Sequence, residues 1–141
     1  MPQDVLIVDD SSTIRQMVKR TLTLAGLDVG EVYEASNGVE ALARLNDHHV
    51  AVMLVDINMP TMNGIQLLTR MQQNAGLKDI PVVIVSTEGS KQRLEELRRI
   101  GACGYVRKPF HPEQLRDVLK PLLGVKDDVS DQDGHAQGDL F

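Results

Sequence analysis

From residue 50 the chain reads Val50-Ala51-Val52-Met53-Leu54-Val55-Asp56-Ile57-Asn58-Met59-Pro60, which is six apolar residues followed by a carboxylate and a turn signal. A short apolar run that ends at a turn is typical of a strand buried on both faces. Open α/β sheets collect their chemistry at the carboxyl ends of the strands, where Asp56 would stand. We therefore predict a buried strand over residues 50–55 that presents Asp56 at a functional edge.

Length and composition indicate one globular domain. The chain has 141 residues, of which 42% are apolar, enough for a substantial core. No apolar run approaches the ~20 residues that span a bilayer, and no basic segment followed by an apolar stretch marks a signal peptide. The single cysteine, Cys103, has no partner for an internal disulfide, which fits a reducing compartment. We expect a cytoplasmic protein without a membrane segment.

Negative charge is concentrated at the carboxyl end. Residues 125–141 hold five aspartates and one lysine, a net charge of −4 out of −5 for the chain, so residues 1–124 carry −1. This end is rich in polar residues and glycine and has too few apolar residues to fold. We predict a domain over residues 1–124 and a disordered acidic tail over 125–141. The nearly neutral domain argues against general attraction to nucleic acid.

Strand patterns alternate with helix patterns through residues 1–124. The expected strands are residues 5–8, 29–34, 50–55, 80–85 and 102–106. After each strand, apolar residues recur at helical spacing, as Ile14, Met17, Val18 and Leu22 do after the first. Such alternation predicts a flavodoxin-like, doubly wound α/β domain whose five-stranded parallel sheet has the order 2-1-3-4-5 and helices on both faces.

Several residues suit helix ends. Ser11 or Ser12 is a candidate N-cap for the first helix, and Pro112 suits the first turn of the last helix. Asn37-Gly38 is predicted to form a turn before the second helix. Glycines are expected to end helices at Gly26, Gly101 and Gly124.

Charged and hydroxyl side chains follow the predicted strands and should meet at one edge of the sheet. They are Asp9, Asp10, Asp56, Ser86, Thr87 and Lys108. Two carboxylates ~4 Å apart repel by about 4 kcal/mol at an effective dielectric near 20. A hard divalent cation such as Mg²⁺ would offset that repulsion. Helix capping is the simpler interpretation, but it accounts for only one of the adjacent pair Asp9 and Asp10.

Asp56 is the candidate nucleophile of this edge. A positioned carboxylate can attack a phosphoryl group to form an aspartyl-phosphate, because phosphoryl transfer needs mainly positioning and charge neutralisation. Lys108 would supply a fixed positive charge, and Ser86 a hydroxyl donor. The alternative for Lys108 is an ordinary surface lysine. Pro109 follows it, and a cis Lys108–Pro109 bond is one way to direct the side chain inward.

Taken together, four segments resemble the receiver domain of two-component response regulators, and within that family the single-domain chemotaxis regulators. The segments are Val8-Asp9-Asp10, Val55 to Pro60 with Gly64, Val85-Ser86, and Gly104-Tyr105-Val106-Arg107-Lys108-Pro109-Phe110. They occur in the family's order and spacing across residues 4–123, and the combination is highly specific.

The resemblance implies that Asp56 accepts a phosphoryl group from the phosphohistidine of a sensor histidine kinase. Mg²⁺ would be bound directly by Asp10, Asp56 and the backbone carbonyl of Asn58, with Asp9 acting through a water molecule. Such a protein catalyses only its own phosphorylation and dephosphorylation and is not otherwise an enzyme.

The resemblance also assigns a switch. Ser86 would move toward the phosphoryl group, Tyr105 would swing inward behind it, and Lys108 would pair with the phosphoryl oxygens. Without the resemblance, Tyr105 would be read as half-buried packing with its hydroxyl in water. Asn58, Thr87 and Glu88 would tune the phosphoryl lifetime. Thr87 is bulkier than the Ala or Gly common at its place in the family and would crowd the phosphoryl group or restrict water.

Two classes of function follow. The first is a binding module whose output target meets the surface formed by the helix from Ser90, the fifth strand and the last helix. That helix carries Lys91, Arg93, Arg98 and Arg99, which are also compatible with a plain solvated face. The second class is a phosphorelay intermediate or phosphate sink. A phosphohydrolase is disfavoured, because Asp56-Ile57-Asn58 has an amide where such hydrolases carry a second acid.

The remaining polar residues suggest little further chemistry. Cys103 is interpreted as a small buried hydrophobe. The four histidines lack metal-ligand spacing and are expected at the surface, namely His48, His49, His111 and His135. The end Gln137-Gly138-Asp139-Leu140-Phe141 resembles the short motif by which bacterial proteins bind the replication sliding clamp, although five-residue matches also arise by chance. Leu140 and Phe141 are thus a candidate docking pair for a tail-binding partner.

Overall fold

Five strands alternate with five helices in the computed structural model, which describes residues 3–124. The strands are β1 (Gln3–Val8), β2 (Val29–Ala35), β3 (Val52–Val55), β4 (Val82–Ser86) and β5 (Ala102–Arg107). The helices are α1 (Ser12–Leu24), α2 (Gly38–Asp47), α3 (Gly64–Gln72), α4 (Lys91–Arg99) and α5 (Pro112–Leu123). None of these helices is both long and apolar enough to cross a bilayer. The predicted tail over 125–141, with His135, Leu140 and Phe141, lies outside the described residues.

The strands form one parallel sheet in the order β2-β1-β3-β4-β5. This confirms the predicted fold class and strand order. The register aligns the strand ends, because Val8 lies opposite Val55 and Ser86 lies opposite Arg107. The residues that follow β1, β3 and β5 therefore reach the same edge of the sheet, next to Ser86 at the end of β4.

Both faces of the sheet are buried, which explains the nearly continuous apolar sequence of its central strands. Alternate residues of a strand point to opposite faces, so Leu6 and Met53 join one core while Ile7 and Leu54 join the other. The first core packs against α2, α3 and α4, and the second against α1 and α5. The helices thus cover both faces of the central strands, and the candidate site residues lie at the strand ends.

Two strands begin later than the sequence predicts. β3 starts at Val52, and the N–H of the preceding residue, Ala51, donates to the carbonyl of Asp4 at 2.8 Å. β4 starts at Val82 and extends through Ser86. Pro81 has no N–H to donate, but its carbonyl accepts from the N–H of Met53 at 2.9 Å. Proline therefore marks the residue before the strand, and not its first position.

The start of α2 corrects another prediction. Asn37 is the N-cap of this helix, its side chain accepting from the N–H of Glu40, and Gly38 is the first helical residue. A Cβ at Gly38 would lie 2.6 Å from the Met62 side chain. Asn37 and Gly38 therefore form the start of α2, and not a separate turn before it. The missing side chain of Gly38 lets Met62 of the β3–α3 loop pack closely against the helix start.

Candidate functional site

Three carboxylates meet at the carboxyl edge of the sheet. Asp9 and Asp10 follow β1 and Asp56 follows β3, so adjacent strands deliver them to one place. Each offers an oxygen atom, and these atoms lie within 4.8 Å of one another. Asp9 and Asp56 are buried, at 4% and 8% exposed, whereas Asp10 is exposed. The cluster therefore has two buried acids and one that faces solvent.

Lys108 lies among these acids. Its Nζ is 2.7 Å from Oδ2 of Asp9 and 3.5 Å from Oδ2 of Asp56. The Lys108 side chain is 13% exposed, which excludes the alternative of an ordinary surface lysine. The Lys108–Pro109 peptide bond is cis. One ammonium group thus offsets part of the negative charge of the cluster.

Asp56 accepts hydrogen bonds from the Ser86 hydroxyl and from the backbone N–H of Asn58. Burial raises the pKa of Asp56, and the nearby charge of Asp9 adds to that rise. The two hydrogen bonds and the Lys108 ammonium act in the opposite direction but do not cancel it. The Asp56 carboxylate is therefore poorly solvated, and the nearby donors stabilise its charged form.

Ser86 and Tyr105 both contact Glu88, in the loop between β4 and α4. Ser86 is fully buried, and its Oγ accepts from the N–H of Glu88 at 3.2 Å. Tyr105 is half-buried, and its hydroxyl donates to the carbonyl of Glu88. The interpretation that this hydroxyl meets only water is therefore wrong. Thr87 and Asn58 are exposed, and their roles in phosphoryl lifetime stay predictions.

Arg15 and Glu34 are absent from the residues predicted above, yet both adjoin the cluster. Nη1 of Arg15 donates to the backbone carbonyl of Asp9 at 2.6 Å, and its Nε donates to Oε1 of Glu34 at 2.8 Å. A signal was present in the sequence. The positive charge of Arg15 lies near the N-terminus of α1, where the helix dipole disfavours cations. The first turn of α1 has no acidic residue to compensate, so a partner elsewhere could be expected for Arg15.

The remaining predictions meet mixed outcomes. Cys103 is half-buried, not fully buried, and burial raises the pKa of its thiol. His49 and His111 are exposed as expected. His48 is not a plain surface residue, because its ring stacks on Tyr33 with the ring centroids 4.0 Å apart. Over residues 3–124, no histidine belongs to a group of side chains that could hold a metal ion.

Comparison with known proteins decides the family. The family described as the response regulator receiver domain matches residues 5–120. The chain belongs to this family. The resemblance predicted from the sequence is thereby confirmed.

Similar receivers include several chemotaxis proteins. Chemotaxis protein CheY1 of Helicobacter pylori is 38% identical over 124 residues, which are 87% of this chain and 98% of the relative. A chemotaxis protein CheY homolog of Campylobacter jejuni is 40% identical over 122 residues, covering 86% and 92%. Among solved structures, the chemotaxis response regulator CheY4 of Vibrio cholerae superposes with a TM-score of 0.78 at 37% identity, covering 87% of this chain and all of that one.

The donor set of this receiver fits a hard divalent cation. Carboxylate oxygens are the ligands that such ions prefer, and an open, solvated position is needed for the waters that Mg²⁺ retains. Asp10 supplies the exposed side of the cluster, and Asp9 and Asp56 supply the buried side. The single ammonium group of Lys108 does not balance three carboxylates, so the cluster keeps a negative charge and could bind a metal ion.

Proposed function

We propose that this receiver is a cytoplasmic response regulator of the chemotaxis type. It accepts a phosphoryl group on Asp56 from a sensor histidine kinase and thereby changes its binding to an output protein. The observation that carries the proposal is the surroundings of Asp56, which is buried against two acids, a lysine ammonium, a hydroxyl and a backbone N–H. The names of the similar chemotaxis proteins support the choice of pathway.

The reaction is an in-line transfer. An oxygen of the Asp56 carboxylate attacks the phosphorus of a phosphohistidine, forming a P–O bond, while the P–N bond breaks and its electron pair stays on the imidazole. Most of the catalytic effect in such a transfer comes from positioning and charge stabilisation. Ser86 and the N–H of Asn58 hold the carboxylate. The Lys108 ammonium, 3.5 Å from it, would pair with a phosphoryl oxygen.

Mg²⁺ is the metal that suits this reaction. Asp10, Asp56 and the backbone carbonyl of Asn58 would hold it directly, and Asp9 through water. The bound ion supplies positive charge for the phosphoryl oxygens, which the three acids would otherwise repel. Asp9 is already engaged, because Oδ2 accepts from Lys108 and Oδ1 accepts from the N–H of Ser11 at 3.0 Å. This supports an indirect role for it.

The route from the phosphoryl group to the protein surface would run through the β4–α4 loop. Ser86 contacts Asp56 on one side and the N–H of Glu88 on the other, and Tyr105 contacts the carbonyl of Glu88. A move of Ser86 toward the phosphoryl group would therefore release or tighten the loop that Tyr105 also holds. Phosphorylation would favour one of two arrangements of these groups, which is a population shift. Thr87, exposed beside Ser86, would restrict water.

The output target would bind the surface of α4, β5 and α5. Six of the nine residues of α4 are charged, and only Leu97 is buried. Tyr105 on β5 faces the same side of the sheet as α4. A change in its position would therefore alter this surface directly.

Intact-mass spectrometry tests the first step. The protein is incubated with Mg²⁺ and a small phosphodonor such as acetyl phosphate, and one phosphoryl group should be gained. The same mixture with a chelator, and the variant Asp56→Asn with Mg²⁺, should gain none. If neither a small donor nor any histidine kinase phosphorylates the protein, Asp56 is not a phosphoacceptor.

A further inference from the structure

Arg15 bridges the acidic turn to the neighbouring strand. Its guanidinium donates from Nη1 to the carbonyl of Asp9 at 2.6 Å and from Nε to Oε1 of Glu34 on β2 at 2.8 Å. Its side chain is 16% exposed, so both bonds are shielded from water. Glu34 is held in turn, because Arg44 of α2 donates to its backbone carbonyl at 3.0 Å. The guanidinium is therefore anchored on elements that do not belong to the turn.

The carbonyl that Arg15 holds belongs to the peptide group between Asp9 and Asp10. That group is planar, so a bond to its oxygen sets the direction in which the chain enters Asp10. On the other side of Asp10, the N–H of Ser11 bonds Oδ1 of Asp9 at 3.0 Å. Asp10 is thus an exposed acid placed between two restrained peptide groups.

We infer that Arg15 is a positioning residue for the metal ligands, one that orients Asp9 and Asp10 without contacting the metal ion or the phosphoryl group. The inference rests on the proposed Mg²⁺ site. Groups that orient metal ligands from behind commonly decide a large part of the affinity. Arg15 does this through a backbone carbonyl, so its effect reaches both acids at once.

Electrostatics alone predicts the opposite sign. A guanidinium near a cation site repels the cation, so its removal should tighten Mg²⁺ binding if charge were its only effect. Loss of positioning should weaken binding instead. The direction in which the Mg²⁺ dissociation constant changes therefore distinguishes the two explanations.

Arginine is required here for its shape. Its planar fork donates in two directions at fixed angles, whereas a lysine ammonium on a flexible stem cannot span both acceptors in the same way. Arg15→Lys therefore keeps the charge and loses the bridge. Arg15→Gln loses both.

Lys19 offers a matched control. It lies on the same helix and near the same partner, with Nζ 4.0 Å from Oε2 of Glu34, and its charge equals that of Arg15. It forms no ion pair or hydrogen bond with Asp9 among the contacts that the described residues show. Lys19→Gln therefore removes a similar charge without removing the bridge.

The experiment is calorimetric titration of the full chain with MgCl₂ at constant ionic strength, with a urea unfolding curve for each variant. Arg15→Lys and Arg15→Gln should raise the Mg²⁺ dissociation constant by roughly tenfold, while Lys19→Gln should leave it unchanged or lower it. Glu34→Ala, which removes the acceptor Oε1 and leaves Arg15 in place, should raise the dissociation constant by less. This variant provides the test if the Arg15 variants do not fold.

Two results would overturn the inference in different ways. An unchanged or lower dissociation constant in the folded Arg15 variants, with normal binding by the wild type, would remove the positioning role and leave the proposed function intact. Absence of Mg²⁺ binding by the wild type itself would remove the metal site and the inference with it.

Discussion

At the scale of single residues, the neighbours of Asp56 shift its pKa in opposite directions. Burial, and to a smaller extent Asp9, raise it, while Ser86, Lys108 and the N–H of Asn58 lower it. A carboxylate whose pKa stays raised against three favourable partners has a charge that is poorly solvated. If Asp56 is the phosphoacceptor that we propose, its reactivity would come from these surroundings.

The pH dependence of Cys103 alkylation tests whether burial raises the pKa of this thiol. Burial raises the pKa of its thiol, so less thiolate is present at pH 8 in the folded protein than in the unfolded chain. Alkylation by iodoacetamide should be several-fold slower in the folded state, and its rate should rise only at higher pH. The chain has one cysteine, so mass spectrometry reads this site alone. Equal pH profiles in buffer and in urea would contradict the effect of burial.

The polar residues at strand ends were predictable because parallel strands share an edge. Asp9 and Asp56 each follow an apolar run directly, and Lys108 follows the end of β5, so the topology alone brings them together. Arg15 and Glu34 lie 19 positions apart on a helix and on a strand. Their contact depends on which way each side chain turns, and periodicity does not encode that direction.

At the scale of elements, the β3–α3 loop packs closely behind Asp56, the proposed phosphoacceptor. A Cβ at Gly64 would lie 2.8 Å from the carbonyl oxygen of Asp56 and 2.9 Å from Cα of Ile57, both backbone atoms that cannot move aside. Only glycine therefore allows α3 to begin this close to Asp56. Asn63 closes the helix start by a capping box with Gln66.

The capping box gives a prediction for stability. Asn63→Ala removes the acceptor of the Gln66 N–H, a bond of 2.9 Å, and should lower the free energy of unfolding by about 1 kcal/mol. Asn46→Ala is the control, because Asn46 is exposed within α2 and alanine there is neutral or favourable. Urea denaturation of both variants measures the difference. Equal stability of the two would show that the cap does not contribute.

Element types were easier to predict than their boundaries. Apolar periodicity identified all ten elements of residues 3–124, since burial on one or two faces leaves a repeat in the sequence. The misplacement of Asn37-Gly38 has a specific cause. The same residue pair favours a turn and a helix start. In the structure the N–H of Gly38 donates to the carbonyl of Met62 in the β3–α3 loop at 2.9 Å, a long-range contact that local sequence does not encode.

At the scale of the whole molecule, the proposed metal site would make stability depend on Mg²⁺. If Mg²⁺ binds the folded arrangement of the three acids, as we propose, it should raise Tm in proportion to the logarithm of its concentration above the dissociation constant. Asp10→Asn should remove this rise and should also raise Tm in the absence of metal, because it relieves repulsion within the cluster. Differential scanning calorimetry with and without MgCl₂ measures both effects.

Asp47→Asn is the control for this experiment. Asp47 is exposed near the end of α2 and lies outside the acidic cluster, so its variant should keep the full Mg²⁺ effect. A rise in Tm that persists in Asp10→Asn would place the stabilising ion elsewhere on the protein.

The bond between Lys108 and Asp9 joins residues 99 positions apart. Lys108 follows β5, the last strand within residues 3–124, so the ammonium group reaches the acids only after most of the domain has been synthesised. Contacts of such long sequence separation are costly to form early, because they close large loops. A nascent or truncated chain that ends before β5 has the acids without their lysine. The charge balance around Asp56 is therefore completed only when β5 has been synthesised and has joined the sheet.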